Sequence, residues 1–471
     1  MCLAFLAKHR VPPSALISKR HCPPEALIHT HKSDRMIIRS VNGLPIVGEE
    51  KMAKCKQQLA TSHATETACT TTADGFTVAW VTDPLRFVHI VARYSTWLAI
   101  GGDSGGDGEE KSTVFGITYD VWHEDRNTYQ QQFTPLLVYM GTDKYDDMRR
   151  LLPTAITPFV GASASHANIF SVLQHLIETW QQSFLNGDWK FLSMILAHKG
   201  AASNYPCPIC SVSSDQLLRQ APLRSARNCP ATYSRDPLLQ VNPSHIVPLP
   251  LHLYLGINNR IISEVFTELF GQQKMDEEVK NIKTKHTPGH GGLADLYALN
   301  GPEIKRWIKK EPQTKLANEA EVSPDVKRKV RLVTSWMKIL HQRLLHDKDW
   351  TTVDVWALRA CVKSIHMHWI ETTRSKVFPK LHMLHHAVEF AEKFGILGRV
   401  GESRLESFHY TFKLLFNHHH RNSTDTPSER LRRSLADVAL KTIKPFVDKA
   451  AKNISDADAP TRRLRSSSHV A

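Results

Sequence analysis

The chain predicts a mixed α/β fold, with the strands gathered in its first half and a mainly helical second half. Three observations carry this. Between residues 76 and 140, short β-branched and aromatic runs ("FTVAWVT", "TWLAIGGD", "TVFGITYDVW", "FTPLLVYMG") are separated by glycine and polar residues. Beyond residue 200 the apolar residues recur at helical intervals, as in "LYLGINNRIISEVFTELF". A hydrophobic content of 41% with 23% charged residues is that of a soluble globular protein.

Taken in order, residues 1–75 carry Pro, Lys, Thr and Ser without lasting periodicity and read as an N-terminal arm, disordered or a remnant. Residues 76–200 form the first part of an α/β core. Here "RFVHIVARY" also reads as a strand, "GGDSGGDGEEKS" as a tight glycine turn, "NIFSVLQHLIETWQQSF" as a helix, and "DWKFLSMIL" as a return to strand or strand edge. Residues 201–395 are a helical insertion. In it Ser323 caps a helix that starts at Pro324, with Val330, Val333, Trp336, Leu340 and Leu344 on one face. Thr351 and Asp354 have capping-box spacing for the next helix. Residues 396–450, including "SRLESFHYTFKLLF", return to complete the core, and 451–471 are a basic tail. There is no internal repeat.

No apolar run reaches the length of a membrane span, and "CLAFLA" is too short for a signal-peptide core, so an intracellular protein is expected. The net charge of +14 and pI of about 9.3 favour a polyanionic partner, of which nucleic acid is the commonest. Smaller basic features add little. "VKRKVR" at 326–331 lies on an amphipathic helix and reads as a solvated face, "TRRLR" is a better tail signal, and "HHHR" at 418–421 meets phosphate or simply ends a helix.

Two motif resemblances fail on physical grounds. "GDSGG" at 102–106 matches the nucleophile motif of trypsin-like proteases and also fits GxSxG. However, the upstream "RHC" precedes the activation-like "PIVG", and only about sixty residues separate that segment from Ser104, too few for a double barrel. "GGDGEEKST" resembles a phosphate-binding loop, but Glu110 replaces the glycine that must precede the lysine.

Two constellations survive. Asp103 ends a predicted strand, Asp188 lies on or beside a later one, and Glu406 belongs to a late helix. Three carboxylates from separated positions can hold two hard cations such as Mg²⁺ or Mn²⁺, leaving positions open for phosphate and water. Asp107 reads as solvated, and Glu402 competes with Glu406 unless it serves only as a helix N-terminal acid. The second set is Cys207 and Cys210, the chain's sole CxxC, with His382 and His386 at i, i+4 in "KLHMLHH". Two thiolates and two imidazoles make a closed tetrahedral zinc site. The plainer reading leaves His382 and His385 on the surface of an amphipathic helix. A zinc here would pin both ends of the helical insertion together and set Glu406 opposite the two aspartates. His252 in "PLHLYLG" reads as a packed or hydrogen-bonded core residue rather than a ligand.

The order and spacing of "GGDSGG", "GDWKFL…YPCPIC", "PLPLHLYLG", "KLHMLHH" and "GESRLESFH", over about residues 90–425, resemble the catalytic core of the V(D)J recombination-activating recombinase and its transposase relatives. The histidine pair is one residue closer than in that recombinase, and no zinc-finger, RING or basic DNA-reading module precedes Asp103. The resemblance implies a DDE enzyme with a ribonuclease-H-like mixed sheet, interrupted by a large, mainly α-helical, zinc-stapled insertion. It implies Asp103, Asp188 and Glu406 as the catalytic acids holding a Mg²⁺ or Mn²⁺ pair, and Cys207, Cys210, His382 and His386 as ligands of a structural Zn²⁺. The function so implied is a nuclear transposase or transposase-derived nuclease, cutting and joining DNA strands by two-metal phosphoryl transfer. Its partner is DNA, a homodimer is left open, and no membrane contact is expected. The alternative is a domesticated, catalytically inactive DNA- or chromatin-binding protein that keeps the fold and the zinc. A third reading is a purely structural interaction module.

Overall fold

The structure is a computed structural model. It describes residues 26–30, 36–41, 44–45, 66–105, 111–123, 128–142, 144–151, 168–224, 235–283, 296–319, 322–373, 376–401, 403–421 and 426–457. Asp107, Glu402, "TRRLR" and the side chains of "HHHR" lie outside what it describes.

Within the expected N-terminal arm, β1 (Ala26–Thr30), β2 (Met36–Val41) and β3 (Leu44–Pro45) form a small antiparallel sheet. The main sheet has six strands: β4 (Thr67–Thr71), β5 (Thr77–Val81), β6 (Leu98–Gly105), β7 (Ser112–His123), β8 (Thr128–Met140) and β9 (Ser183–Gly187). Their order is β4-β5-β8-β7-β6-β9. Every pair is antiparallel except β6–β9, which is parallel. The core therefore begins upstream of Phe76, because β4 pairs along its whole length with β5.

Alternation along the strands sorts side chains to two faces. Ala79, Val114, Phe133 and Val138 face one way and pack against two late helices. Their neighbours Val78, Trp80, Phe115 and Leu137 face the other way. That second face is covered by α1 (Pro84–Val91), α2 (Ile169–Thr179) and α3 (Trp189–Ile195), and its core continues without a break into the helical region.

Two segments expected as strands are these helices. "RFVHIVARY" lies largely in α1, where Asp83 accepts the Arg86 amide at 3.1 Å and Pro84 sits in the first turn. "DWKFLSMIL" is α3, capped by Asp188; the strand is the preceding "SFLNG". In both, a short apolar run gave no period of its own, and the aspartate cap decided for helix. The buried residues, Phe87, Val88 and Val91 in one and Phe191, Leu192 and Ile195 in the other, follow helical spacing. β6 also continues past Asp103 to Gly105, so Asp103 lies inside a strand, paired with Val114, rather than at its end.

The helical region contains α4 (Pro250–Arg260), which continues through a wider turn at Ile261–Phe266, then α5 (Gln272–Ile282), α6 (Gly301–Lys310), α7 (Pro324–Leu344), α8 (Thr352–Thr373) and α9 (Pro379–Phe394). Ser323 caps α7 through the Val326 amide, and the five expected face residues of α7 are buried. Thr351 and Asp354 exchange the two bonds of a capping box at the start of α8. α10 (Ser403–Arg421) and α11 (Pro427–Ala457) then return to the sheet. Leu405, Phe408, Phe412 and Phe416 of α10, spaced three or four apart, bury against Ala79, Val114 and Phe133. No described helix is long and apolar enough to cross a membrane.

Candidate functional site

The parallel pairing of β6 with β9 sets Gly102 opposite Gly187. Asp103 follows Gly102 within β6, and Asp188 follows Gly187 where β9 gives way to α3, so the pairing brings the two carboxylates to the same region. The glycines are needed there because the Phe191 ring lies across both. A Cβ on Gly102 would stand 2.2 Å from that ring and one on Gly187 2.4 Å, and Gly187 also has φ +140°. Phe191 donates its backbone N–H to Asp188 Oδ1 at 2.6 Å, which fixes that carboxylate at the start of α3. Asp103 Oδ1 accepts the Ser104 amide at 2.8 Å.

A third parallel segment follows. Ile246 bridges to Leu185, and the Val247 amide donates to the Leu185 carbonyl at 2.9 Å. The chain then turns through Leu249, at φ +50°, into Pro250 and α4. His252 thus emerges from the same end of the sheet as the two aspartates. Its Nδ1 is 3.7 Å from Glu406 Oε1, in the first turn of α10. His252 therefore belongs to the acid cluster instead of the core, and its side chain is 29% exposed.

The four groups share one electrostatic environment. Burial, the Asp188 carboxylate and the Glu406 carboxylate together push Asp103 up to about 7, against weaker opposition from the Ser104 amide and His252. Carboxylates gathered this way repel one another unless one keeps its proton or a cation lies among them, and oxygen donors are the kind that hard divalent ions take.

Glu406 is carried to this place by contacts made just before α10. Buried Asn186, on β9, donates to the Val400 carbonyl at 3.1 Å, and Gln131, on β8, donates to the Gly401 carbonyl at 2.9 Å. Arg399 pairs with buried Asp120 of β7, whose other partner is the Trp97 indole at 3.0 Å. The return of the chain is thus held by its own bonds to three strands, in addition to anything a metal contributes further away. Sequence reading missed Asn186, Gln131 and the Arg399–Asp120 pair because each acts across more than two hundred positions, with no local motif to mark it.

Cys207, Cys210, His382 and His386 converge in a buried cluster whose ligand atoms all lie within 4.8 Å of one another. Cys210 Sγ is 3.1 Å from His382 Nε2, which is 3.2 Å from His386 Nε2. These spacings suit the edges of a tetrahedron with metal–ligand bonds of about 2.0–2.3 Å, so the cluster could hold a metal such as zinc. The outer contacts fit as well. His382 Nδ1 donates to the Leu217 carbonyl at 3.0 Å, and His386 Nδ1 to Glu389 at 2.8 Å, which turns both Nε2 atoms inward. The Ile209 and Cys210 amides donate to Cys207 Sγ at 3.3 and 3.4 Å.

The cluster gathers thiolate charge beside a proton held on His386, which a metal ion binding there would displace. Cys210 is held far below an ordinary thiol by the hydrogen bond from Cys207 and then by His382 and His386, while burial pushes Cys207 up. Burial opposes charge on His386, yet Cys210 and Glu389 raise it to about 9. Arg224, also buried, braces the loop by donating to the Cys207 carbonyl at 2.6 Å and the Tyr205 carbonyl at 2.9 Å. His385, the competing surface histidine, stands beside the cluster, with its ring 4.0 Å from that of His366.

The cluster joins the CxxC loop to α9. α9 is also held to the sheet by rings: Phe184 of β9 packs on Phe390 at 5.2 Å and on Phe394 at 4.9 Å. A scan of protein-family models and a search of curated proteins each found no match to this chain.

Proposed function

We propose that the protein is a metal-dependent DNA nuclease or strand transferase of the DDE type, with a ribonuclease-H-like core and a zinc-stapled helical insertion. The observation that carries this reading is the meeting of Asp103, Asp188 and Glu406 at one sheet edge, from two neighbouring parallel strands and the helix that returns after the insertion. Asp103, Asp188 and Glu406 would hold Mg²⁺ or Mn²⁺, and Cys207, Cys210, His382 and His386 would hold Zn²⁺. Bound at the acids, the divalent ions supply an activated attacking oxygen and a stabilised leaving oxygen for phosphodiester chemistry. The Phe191 amide holds the Asp188 carboxylate in place, and His252 steadies Glu406, so both acids are positioned before any ion would bind.

Basic groups beside the acids favour a nucleic acid as substrate. His252, Gly256 and Arg260 follow one another at i, i+4, i+8 on α4. Lys380 crosses this face at Gly256, so closely that a Cβ there would meet its ammonium at 2.6 Å. Arg260 stacks on Phe378 at 4.4 Å and pairs with Glu264. Lys380 and Arg260 lie along this face beyond His252, and basic groups so placed suit a phosphate backbone. A nuclear location goes with DNA as substrate.

The test is strand nicking of linear and branched DNA with Mn²⁺ or Mg²⁺, wild type against Asp103→Asn. Metal-dependent nicking that the variant lacks supports the reading. Salt-sensitive binding without nicking by the wild type would select the inactive DNA-binding alternative instead.

A further inference from the structure

We propose that α8 is a self-association surface, pairing antiparallel with α8 of a second copy of this chain. α8 is apolar on two sides. Leu358, Cys361, Val362, Ile365 and Trp369 are buried against the rest of the helical region. On the other side Val353 (69%), Trp356 (69%), Met367 (61%) and Ile370 (59%) are exposed, four of the ten large apolar side chains exposed among the described residues. Such a concentration on one helix marks an interaction site, unlike the scattered exposure usual on a surface.

The spacing of this stripe identifies its occupant. Val353, Trp356, Ala360, Lys363, Met367 and Ile370 are all exposed and follow alternate steps of three and four, the seam of a two-helix pair. The pattern reads the same from either end. A two-fold axis midway along the helix therefore sets Val353 against Ile370, Trp356 against Met367 and Ala360 against Lys363 of the second copy, each twice, as an isologous interface requires. Parallel pairing would place Lys363 on Lys363, whereas the antiparallel pair lays each lysine stem over an alanine and leaves the ammonium at the rim.

Shape agrees with this pairing. Met367 also borders a groove of about 610 Å³ between α8 and α9, with Val362 and Val388 in its wall and Arg359, Lys363, Glu389 and Glu392 around them. The antiparallel register brings Trp356 of the second copy to the mouth of that groove, where its indole can lie on Met367. The four side chains expose on the order of 500 Å² per copy, hence about 1,000 Å² across the pair, the lower bound of a specific interface. The inference stands apart from any DNA chemistry.

Sedimentation velocity of the full chain, without DNA, reads the result. The wild type should pass from monomer to dimer over micromolar concentrations, the range of a small, transient interface. Trp356→Glu and Met367→Glu should each weaken association at least tenfold while leaving the circular-dichroism melt of the monomer unchanged, since both side chains face solvent there. Orientation is read by oxidising Val353→Cys and Ile370→Cys proteins separately and mixed. Cross-linking of the mixture above either protein alone supports the antiparallel pair. A wild type that stays monomeric, a dimer indifferent to both glutamates, or cross-linking only within each single variant would overturn the proposal.

Discussion

Asp103, inside β6, and Asp188, which caps α3 directly after β9, each follow a member of the Gly102–Gly187 pair that joins the two parallel strands. The two carboxylates are close enough that Asp188 helps to push Asp103 up, and the paired glycines before them fix where each starts. Asp103→Asn or Asp188→Asn should therefore lower metal-dependent nicking by a hundredfold or more on the proposed mechanism, since an amide cannot supply the anionic oxygen. DNA affinity, measured by anisotropy in divalent-free buffer, should change less than twofold. Wild-type nicking by both variants would remove these residues from the chemistry.

Phe191 links the two glycines to the Asp188 carboxylate. Gly102→Ala forces a methyl into the ring and should destabilise by about 1–3 kcal/mol. Gly187→Ala adds the strain of its positive φ and should be worse. Chemical denaturation would show this, and Phe191→Leu in the Gly102→Ala background should restore part of the loss. Additive effects of the two changes would contradict the contact.

The raised Asp103 carboxyl makes a signed prediction. The folded protein holds this proton up to about 7, whereas the unfolded chain releases it near 3.8. Between those values the native state binds more protons, so this group's contribution to stability falls as pH rises from about 4 to about 7. Mn²⁺ or Mg²⁺ should offset that loss, raising Tm more at pH 8 than at pH 5 in thermal scans. Asp103→Asn should abolish both the pH-dependent loss and most of the cation effect.

Loss of the Cys2His2 centre should act mainly on stability. Cys207→Ser with Cys210→Ser should release one equivalent of zinc by elemental analysis and lower stability by several kcal/mol. Because Glu406 is also held through Asn186, Gln131 and Arg399, nicking below the melting temperature should fall far less than in Asp103→Asn. A complete loss of nicking in a folded variant would show instead that the metal places Glu406.

Arg399→Ala tests the other anchor. It leaves Asp120 buried without its cation, and burial already pushes that carboxyl up. A loss of about 3–5 kcal/mol in denaturation is expected. Asp120→Asn with Arg399→Met should recover much of it, because no charge is then buried unpaired.

Some of this architecture follows from the sequence alone. The CxxC and the i, i+4 histidines state their chemistry through local spacing, and the Ser323 and Thr351–Asp354 caps and the apolar face of α7 are read from a few neighbouring residues. The choice of Asp103, Asp188 and Glu406 as one set came from resemblance and order, and their meeting was decided by tertiary structure. It depends on β6 pairing parallel with β9, on Phe191 covering two glycines, and on Asn186 and Gln131 catching the carbonyls ahead of α10. α1 and α3 read as strands in the sequence because a short buried run of apolar residues has no distinguishing period, and His252 reads as a packed residue because nothing within its helix shows the acids it faces. Helical periodicity and caps act within a few residues, so the sequence displays them. Strand pairing and buried hydrogen bonds act between residues far apart in the chain, and they exist only once it has closed on itself.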